Sequence, residues 1–228
     1  MKRILGALAL ATLAGCGSGG RDPIVQAAVE EFGGFWQRED RLPAEPAQPI
    51  TRAQITAQDT AAIFARLEGD PTPTLLYGAS SNGPYVTFLS PLRQSVTLRG
   101  SQITGTRGLG TDLLSAWSSS PDPLARPIPP GSWPAGIRRS YELPAIGPQG
   151  QILTYDCRFE RGPLREMTIL QVRHVGVEFA EVCTGPEGSF ENLHFADAQS
   201  GFVWRTLQWT GPEMELLDVQ IVEPYTGG

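Results

Sequence analysis

From about residue 73 onward, apolar and polar residues alternate with a period of two, interrupted at short intervals by glycine, proline and asparagine. That period puts successive side chains on opposite faces of an extended strand, so the pattern commits the chain to β structure with one face turned to a core. Leu153, Tyr155, Cys157 and Phe159 share one face, while Thr154, Asp156, Arg158 and Glu160 take the other. Residues 74–77 and 85–89 flank Asn82-Gly83, a pair that tolerates positive φ and suits a hairpin. Residues 96–99 and 102–106 flank Gly100-Ser101 in the same way. Residues 166–182 carry Leu170, Val172, Val175, Val177 and Phe179, enough for one long strand or for two with a break at Gly176. Residues 202–209 and 217–222, joined through Gly211-Pro212, complete the set.

The remaining segments are less regular. Residues 61–67 fit strand or helix by pattern alone, and Thr51 is placed to cap a short helical turn. Asp22-Pro23 offers a cap followed by proline at the first helical position; Val25, Ala28, Val29, Phe32 and Trp36 then recur at helical spacing. A helix near 23–37 is expected, with its apolar stripe packed on the domain. The stretch 117–150 is rich in proline and could divide two domains. Each strand group alone would bury only a thin core, however, so one domain with a proline-stiffened excursion is the better reading. The expected architecture is mainly β: a single domain built on a large curled antiparallel sheet, barrel- or sandwich-like, with a short N-terminal helix.

The N-terminus constrains location. Met1-Lys2-Arg3 precedes an apolar run from Ile4 to Leu13, then Ala14-Gly15-Cys16, the arrangement of a secretory signal. Ten residues make a helix of about 15 Å against a hydrocarbon core of roughly 30 Å, so this run is too short to span a bilayer. Leu13-Ala14-Gly15-Cys16 resembles the lipobox of bacterial lipoproteins, which implies cleavage after residue 15 and acylation of Cys16. Two or more acyl chains anchor stably where one does not. Gly17 stands where such lipoproteins carry the inner-membrane retention aspartate, which favours the outer membrane, with the periplasmic face the expected side. Residues 16–22 would be the lipidated tether. With a net charge of −6, the chain has no broad attraction for nucleic acid, which is not expected as a partner.

Cys157 and Cys183 form an even pair in an oxidising compartment, most simply a disulfide. A search for chemistry is otherwise sparse. There is no Gly-x-Ser-x-Gly, no phosphate-cradling glycine loop and no His-Glu-x-x-His, and two cysteines with two distant histidines make no zinc pattern. His174 and His194 are expected to be satisfied structural residues, and Glu178 and Glu181 the solvated edge of a strand. Trp204 and Trp209 fall on opposite faces by parity, so one is a candidate to stack on a sugar ring, unless a two-sided packing buries both. No enzyme activity, cofactor or metal is expected.

The run Thr106-Arg107-Gly108-Leu109-Gly110-Thr111-Asp112-Leu113 resembles the signature of the YjbF/GfcB family of group 4 capsule polysaccharide lipoproteins. Ile50-Thr51-Arg52, Phe190-Glu191-Asn192, Ser200-Gly201-Phe202-Val203-Trp204-Arg205 and Gln208-Trp209 are similar to that family as well. His194 and Phe195 depart from it, standing where its members tend to carry Tyr and Trp. The resemblance extends over most of residues 23–228. It implies a large curled antiparallel sheet and an accessory role in exopolysaccharide or capsule secretion. The implied partners are polysaccharide-export proteins of the outer membrane or periplasm, and the polysaccharide itself. Candidate binding or signature residues are Arg107, Gly108, Gly110, Asp112, Asn192, Trp204, Gln208 and Trp209. For the Arg107–Asp112 run, a local turn with Arg107 paired to Asp112 is the simpler alternative to a binding loop. Intact-mass analysis of membrane-extracted protein should show loss of residues 1–15 and added acyl mass, and Cys16→Ala should abolish both changes.

Overall fold

The computed structural model describes residues 50–145 and 150–227. The expected signal peptide, Cys16, the tether and the helix near 23–37 therefore lie outside the described residues. Thr51 caps α1 (Arg52–Thr56) as expected. Its hydroxyl accepts from the Gln54 N–H, and the Gln54 side-chain oxygen accepts from the Thr51 N–H at 2.8 Å. Twelve strands follow: β1 (Ala62–Leu67), β2 (Thr74–Asn82), β3 (Tyr85–Leu89), β4 (Ser95–Arg99), β5 (Gln102–Arg107), β6 (Ser115–Ser118), β7 (Gly136–Leu143), β8 (Gln151–Ile169), β9 (Val172–Gly185), β10 (Gly188–Asp197), β11 (Val203–Gly211) and β12 (Glu215–Glu223).

All twelve belong to one antiparallel sheet. Each strand pairs with its neighbour in sequence, except that β1 pairs with β12 and β5 meets β6 only at a seam. The sheet thereby curls into a nearly closed barrel. At the seam the Thr106 N–H donates to the Leu113 carbonyl at 3.0 Å, and the Ser101 N–H to the Leu124 carbonyl at 2.7 Å. Near-closure leaves little free strand edge there, which removes most of the liability of an open sheet.

The alternating pattern explains which side chains enter the barrel. Leu153, Tyr155 and Cys157 point inward from β8, and Ile63, Val96, Leu98, Leu217 and Val219 line the same core from other strands. Cys157 and Cys183 face each other across β8 and β9 and are joined as a disulfide. A second apolar cluster lies outside the barrel, where α1 and the tip of the β8–β9 hairpin cover Ala62, Phe64 and Val222 with Ile55 and Ile169.

Three local expectations change. The β2–β3 hairpin turns on Gly83-Pro84 rather than Asn82-Gly83, because Asn82 already pairs with Tyr85. The break within 166–182 falls at Leu170-Gln171, both at positive φ, not at Gly176. Gly176 instead sits inside β9, where a Cβ would come within 2.6 Å of both the Ala196 carbonyl and the Phe195 ring. The proline-rich stretch contains β7 and part of β6, so the true excursion is confined to residues 119–135.

That excursion plugs one end of the barrel. Leu124 packs with Val177, Phe179, Ala196 and Val203, and the Trp133 ring stacks on Phe179 at 3.8 Å. The Trp133 indole N–H donates to the Ile128 carbonyl at 2.8 Å. Gly201, at φ +74, backs onto the same carbonyl, and a Cβ there would lie 1.8 Å from the oxygen. Gly201→Ala should therefore cost at least about 2 kcal/mol, lowering the melting temperature by roughly 4–8 °C in a thermal scan.

Candidate functional site

The alternation that fills the barrel with apolar side chains also carries charged ones inside. On β7 the inward positions are Ile137, Arg139, Tyr141 and Leu143, and on β9 they include Phe179, Glu181 and Cys183. Arg139 is 1% exposed and Glu181 0%. Glu181 is therefore not on a solvated strand edge; inward parity places it in the core, where a lone carboxylate would be untenable. Arg139 supplies the counter-charge, with Nε donating to Glu181 at 2.6 Å and Nη1 to Asp122 at 3.0 Å. Asp122 comes from the plug and also accepts from the Leu124 N–H and the Ser118 hydroxyl.

The network continues across the interior. Asn192 Nδ2 donates to Glu181 Oε2 at 2.8 Å, while Asn192 Oδ1 accepts from the Trp209 N–H at 2.7 Å. His194 Nε2 lies 3.2 Å from Glu181 Oε2, and its Nδ1 lies 2.8 Å from Thr206 Oγ1. A carboxylate only accepts, so Nε2 carries the proton, and Nδ1 accepts from the Thr206 hydroxyl. Gln208 Nε2 donates to Thr206 Oγ1 at 3.0 Å and to the Ser101 carbonyl at 2.8 Å, and Gln208 Oε1 accepts from the Ile103 N–H at 3.1 Å. One polar chain thus runs from the plug through β7, β9, β10 and β11 to the seam strand β5.

Burial and charge set the protonation states. Burial alone would raise the Glu181 pKa, but Arg139, with the bonds from His194 and Asn192, holds it down at about 2. Burial pushes the His194 pKa below its usual value of 6.5, and this outweighs the opposing pull of Glu181. A neutral ring with its proton on Nε2 satisfies both the Thr206 and the Glu181 bonds. For Arg139 burial acts to lower the pKa, and the two carboxylates more than reverse it.

Aromatic walls isolate the chain from water. Trp133 and Phe159 lie over His194, with ring centres 6.2 and 6.3 Å away. Tyr141, Tyr155, Phe190 and Trp209 close the other side, with Phe190 and Trp209 stacked at 4.5 Å. Cys157, Glu181 and Cys183 hold donor atoms within 4.8 Å of one another, but the cysteines are bridged and Glu181 is committed to Arg139, Asn192 and His194. That trio is no metal centre as it stands.

The sequence candidates separate into two groups. Asn192 and Gln208 join the interior chain, and Trp209 packs beside it. Trp204 is half-buried on another surface, with its ring 4.1 Å from His174 and 4.6 Å from Phe202. Trp209 is buried and not free to stack on a sugar, and Trp204 is half covered by His174 and Phe202. Arg107, Gly108, Gly110 and Asp112 lie at the opposite end of the barrel from the plug. Arg107 and Asp112 do not pair there: Asp112 accepts from the Gly108 and Leu109 N–H groups and the Thr106 hydroxyl, and Arg107 donates to backbone carbonyls, Leu113 among them. The loop is a self-capped turn, as the simpler reading had it, though each ionic side chain bonds the backbone instead of its opposite. Leu109 lies over a cavity of about 60 Å³ that Leu76, Val96 and Leu217 also line. Asp122, Arg139 and Thr206 escaped the sequence reading, although a charged residue in the Ile137–Tyr141 alternation is a signal for one of them.

The fold and this interior define a class: an up-and-down antiparallel barrel, plugged at one end and pinned across its middle by a buried ionic chain. The chain belongs to the family described as group 4 capsule polysaccharide lipoprotein gfcB, YjbF, whose profile matches residues 25–222. Among solved structures it is similar to the hypothetical lipoprotein YmcC from Escherichia coli (K12). The TM-score is 0.66 at 18% identity, over 79% of this chain and 92% of that one. No curated protein matches significantly.

The linkage to pH follows from the two shifts. Glu181 and His194 both have folded-state pKa values below their unfolded ones, so each favours the folded state at neutral pH and ceases to as pH falls. The contributions of His194 and Glu181 should decline as pH drops through about 6.5 and again below about 4.5. Glu191, whose carboxyl burial pushes up to about 7, gains stability over the first of these ranges. Denaturant melts of wild type against His194→Gln and Glu181→Ala read the two losses as differences. Glu181→Ala, which strands Arg139's inner bond, should cost about 3–5 kcal/mol at neutral pH and shrink the lower step, leaving the part that Asp197 contributes.

Proposed function

We propose that this chain is an outer-membrane lipoprotein, held by acylated Cys16 with its barrel in the periplasm. There it serves the secretion or assembly of an extracellular polysaccharide as a non-catalytic accessory factor. Membership of a capsule polysaccharide lipoprotein family over residues 25–222 carries this reading. The lipobox-like Leu13-Ala14-Gly15-Cys16 and Gly17 support the anchor and its membrane.

The interior favours a non-catalytic role. Its carboxylates, Asp122 and Glu181, are 4% and 0% exposed, and both bind Arg139. Hydrolysis of a glycan by paired carboxylates needs them open to substrate and water, with one free to give up a proton. A barrel packed to its axis acts instead as a rigid body that presents its outer surface. Partners in the export machinery would therefore be met by the outside of the sheet or by the loops.

Deleting the gene should lower surface polysaccharide severalfold, measured by uronic-acid or total-sugar assay of washed cells. The wild-type gene should restore it and Cys16→Ala should not. Unchanged surface polysaccharide in the deletion strain would refute the role. Release of reducing sugar from the polymer by purified protein would refute its non-catalytic part.

A further inference from the structure

The outer surface of this barrel is divided between two treatments. Over β1 and β12 it is apolar and covered by α1 and the β8–β9 hairpin tip. Over β6, β7 and β8 the larger side chains stand in solvent, Ile152 and Trp117 among them, with Ser140 buried between them. Cross-strand pairing sets three residues there in one row: Trp117 opposite Ser140, and Ser140 opposite Thr154. The Ser140 and Thr154 hydroxyls lie 3.0 Å apart. At about 4.8 Å per strand the row extends roughly 10 Å across the sheet. Trp117 is 40% exposed, whereas Trp133, Trp204 and Trp209 are packed into clusters. Among the described residues it is the tryptophan whose ring is offered to solvent.

Beside that row the surface is concave. Ser119, Gly136, Arg138 and Asp156 line an open depression of about 410 Å³, within the size range of small-molecule sites. Gly136 forms part of its wall without a side chain, since a Cβ there would come 2.5 Å from the Cys157 carbonyl. Arg138 Nε donates to Asp156 at 3.1 Å, and both side chains are well exposed. The remaining guanidinium N–H groups are donors and the second carboxylate oxygen an acceptor, and all stand open to solvent.

The geometry points to a glycan-binding site formed by Trp117, the Thr154 hydroxyl that Ser140 holds in place, and the Arg138–Asp156 pair, its occupant an uncharged stretch of polysaccharide. A pyranose has one apolar C–H face and a rim of hydroxyls. The indole ring takes the first, and the paired ions and the Thr154 hydroxyl take the second. Charge selects the class. One cation beside one anion leaves the site without net charge, and the chain as a whole carries −6, so a polyanionic segment is repelled while a neutral one is not. This inference rests on the proposed role in polysaccharide secretion, and it moves the aromatic contact from Trp204 or Trp209 to Trp117.

The test uses the detergent-extracted full-length protein and the extracellular polysaccharide shed by the producing cells, titrated by calorimetry. Wild type should bind. Trp117→Ala should weaken binding about tenfold, the loss of one aromatic stacking contact, with an unchanged melting temperature. Trp117→Tyr should restore most of the affinity, and Arg138→Ala should weaken it while Trp204→Ala leaves it unchanged. Absence of binding by wild type, or equal binding by Trp117→Ala, overturns the site. If the site fails while gene deletion still lowers surface polysaccharide, the accessory role stands without it. If Trp117-dependent binding is found and deletion has no effect, the site stands and the role falls.

Discussion

A guanidinium enclosed by a β-barrel has no water to lean on, and Arg139 is the residue around which the rest of this interior is arranged. Desolvating such a group costs several kcal/mol, and only close opposite charge with good geometry offsets it. Two carboxylates meet one cation here, so the trio carries surplus negative charge. That surplus is spread over N–H and O–H donors: Ser118 and Leu124 on Asp122, and Asn192 and His194 on Glu181. Because Asp122 belongs to the 119–135 excursion, the ionic centre is complete only when the plug is seated. Closure of the barrel end and satisfaction of the buried charge are one event. A buried ionic chain of this kind adds little net stability over an apolar one, but it penalises any packing in which the plug or β10 is misplaced.

The same chain reaches the weakest part of the sheet. β5 and β6 do not pair along their length, and a seam of unpaired N–H and C=O groups inside a protein would be costly. Gln208 bonds both the Ser101 carbonyl and the Ile103 N–H, so a side chain on β11 completes the ladder that β6 leaves open. Leu113 and Leu124 serve two further N–H groups on that edge. The barrel is closed partly by a polar strut across its bore, and the strut ends at the same network that anchors the plug.

Much of the sheet was legible because a period of two is strong where one face is wet. The alternation through 153–160 and the glycine turn at 100 need no tertiary information, and both stand in the structure. Legibility fell where tertiary contacts set the local choice. Leu170-Gln171 carries no turn signature, yet it turns because Ile169 and Leu170 pack under the outer cluster. Gly176 looks like a break and is a strand residue, glycine because Phe195 and Ala196 crowd it. β7 was hidden by flanking prolines. The ionic centre was the least visible part, since a glutamate beside apolar neighbours reads as surface until the arginine that neutralises it is known to share its interior. Parity held the clue: Arg139 lies on the side of Ile137 and Tyr141, and Glu181 on the side of Phe179 and Cys183.

The two treatments of the outer surface have a geometric consequence. In the ring of twelve strands, β1 and β8 are separated by four strands one way and six the other, so they stand on nearly opposite walls. The described chain begins at Ile50, in the covered cluster on the β1 side. A protein or membrane surface drawn up against that wall would leave Trp117, Arg138 and Asp156 facing away. Under the proposed role, a body approached from one wall and open to solvent on the other would hold a polymer without closing around it. An open site fits a chain in transit, because a long polymer has to slide past or let go, and an enclosed pocket would require an end to be threaded in.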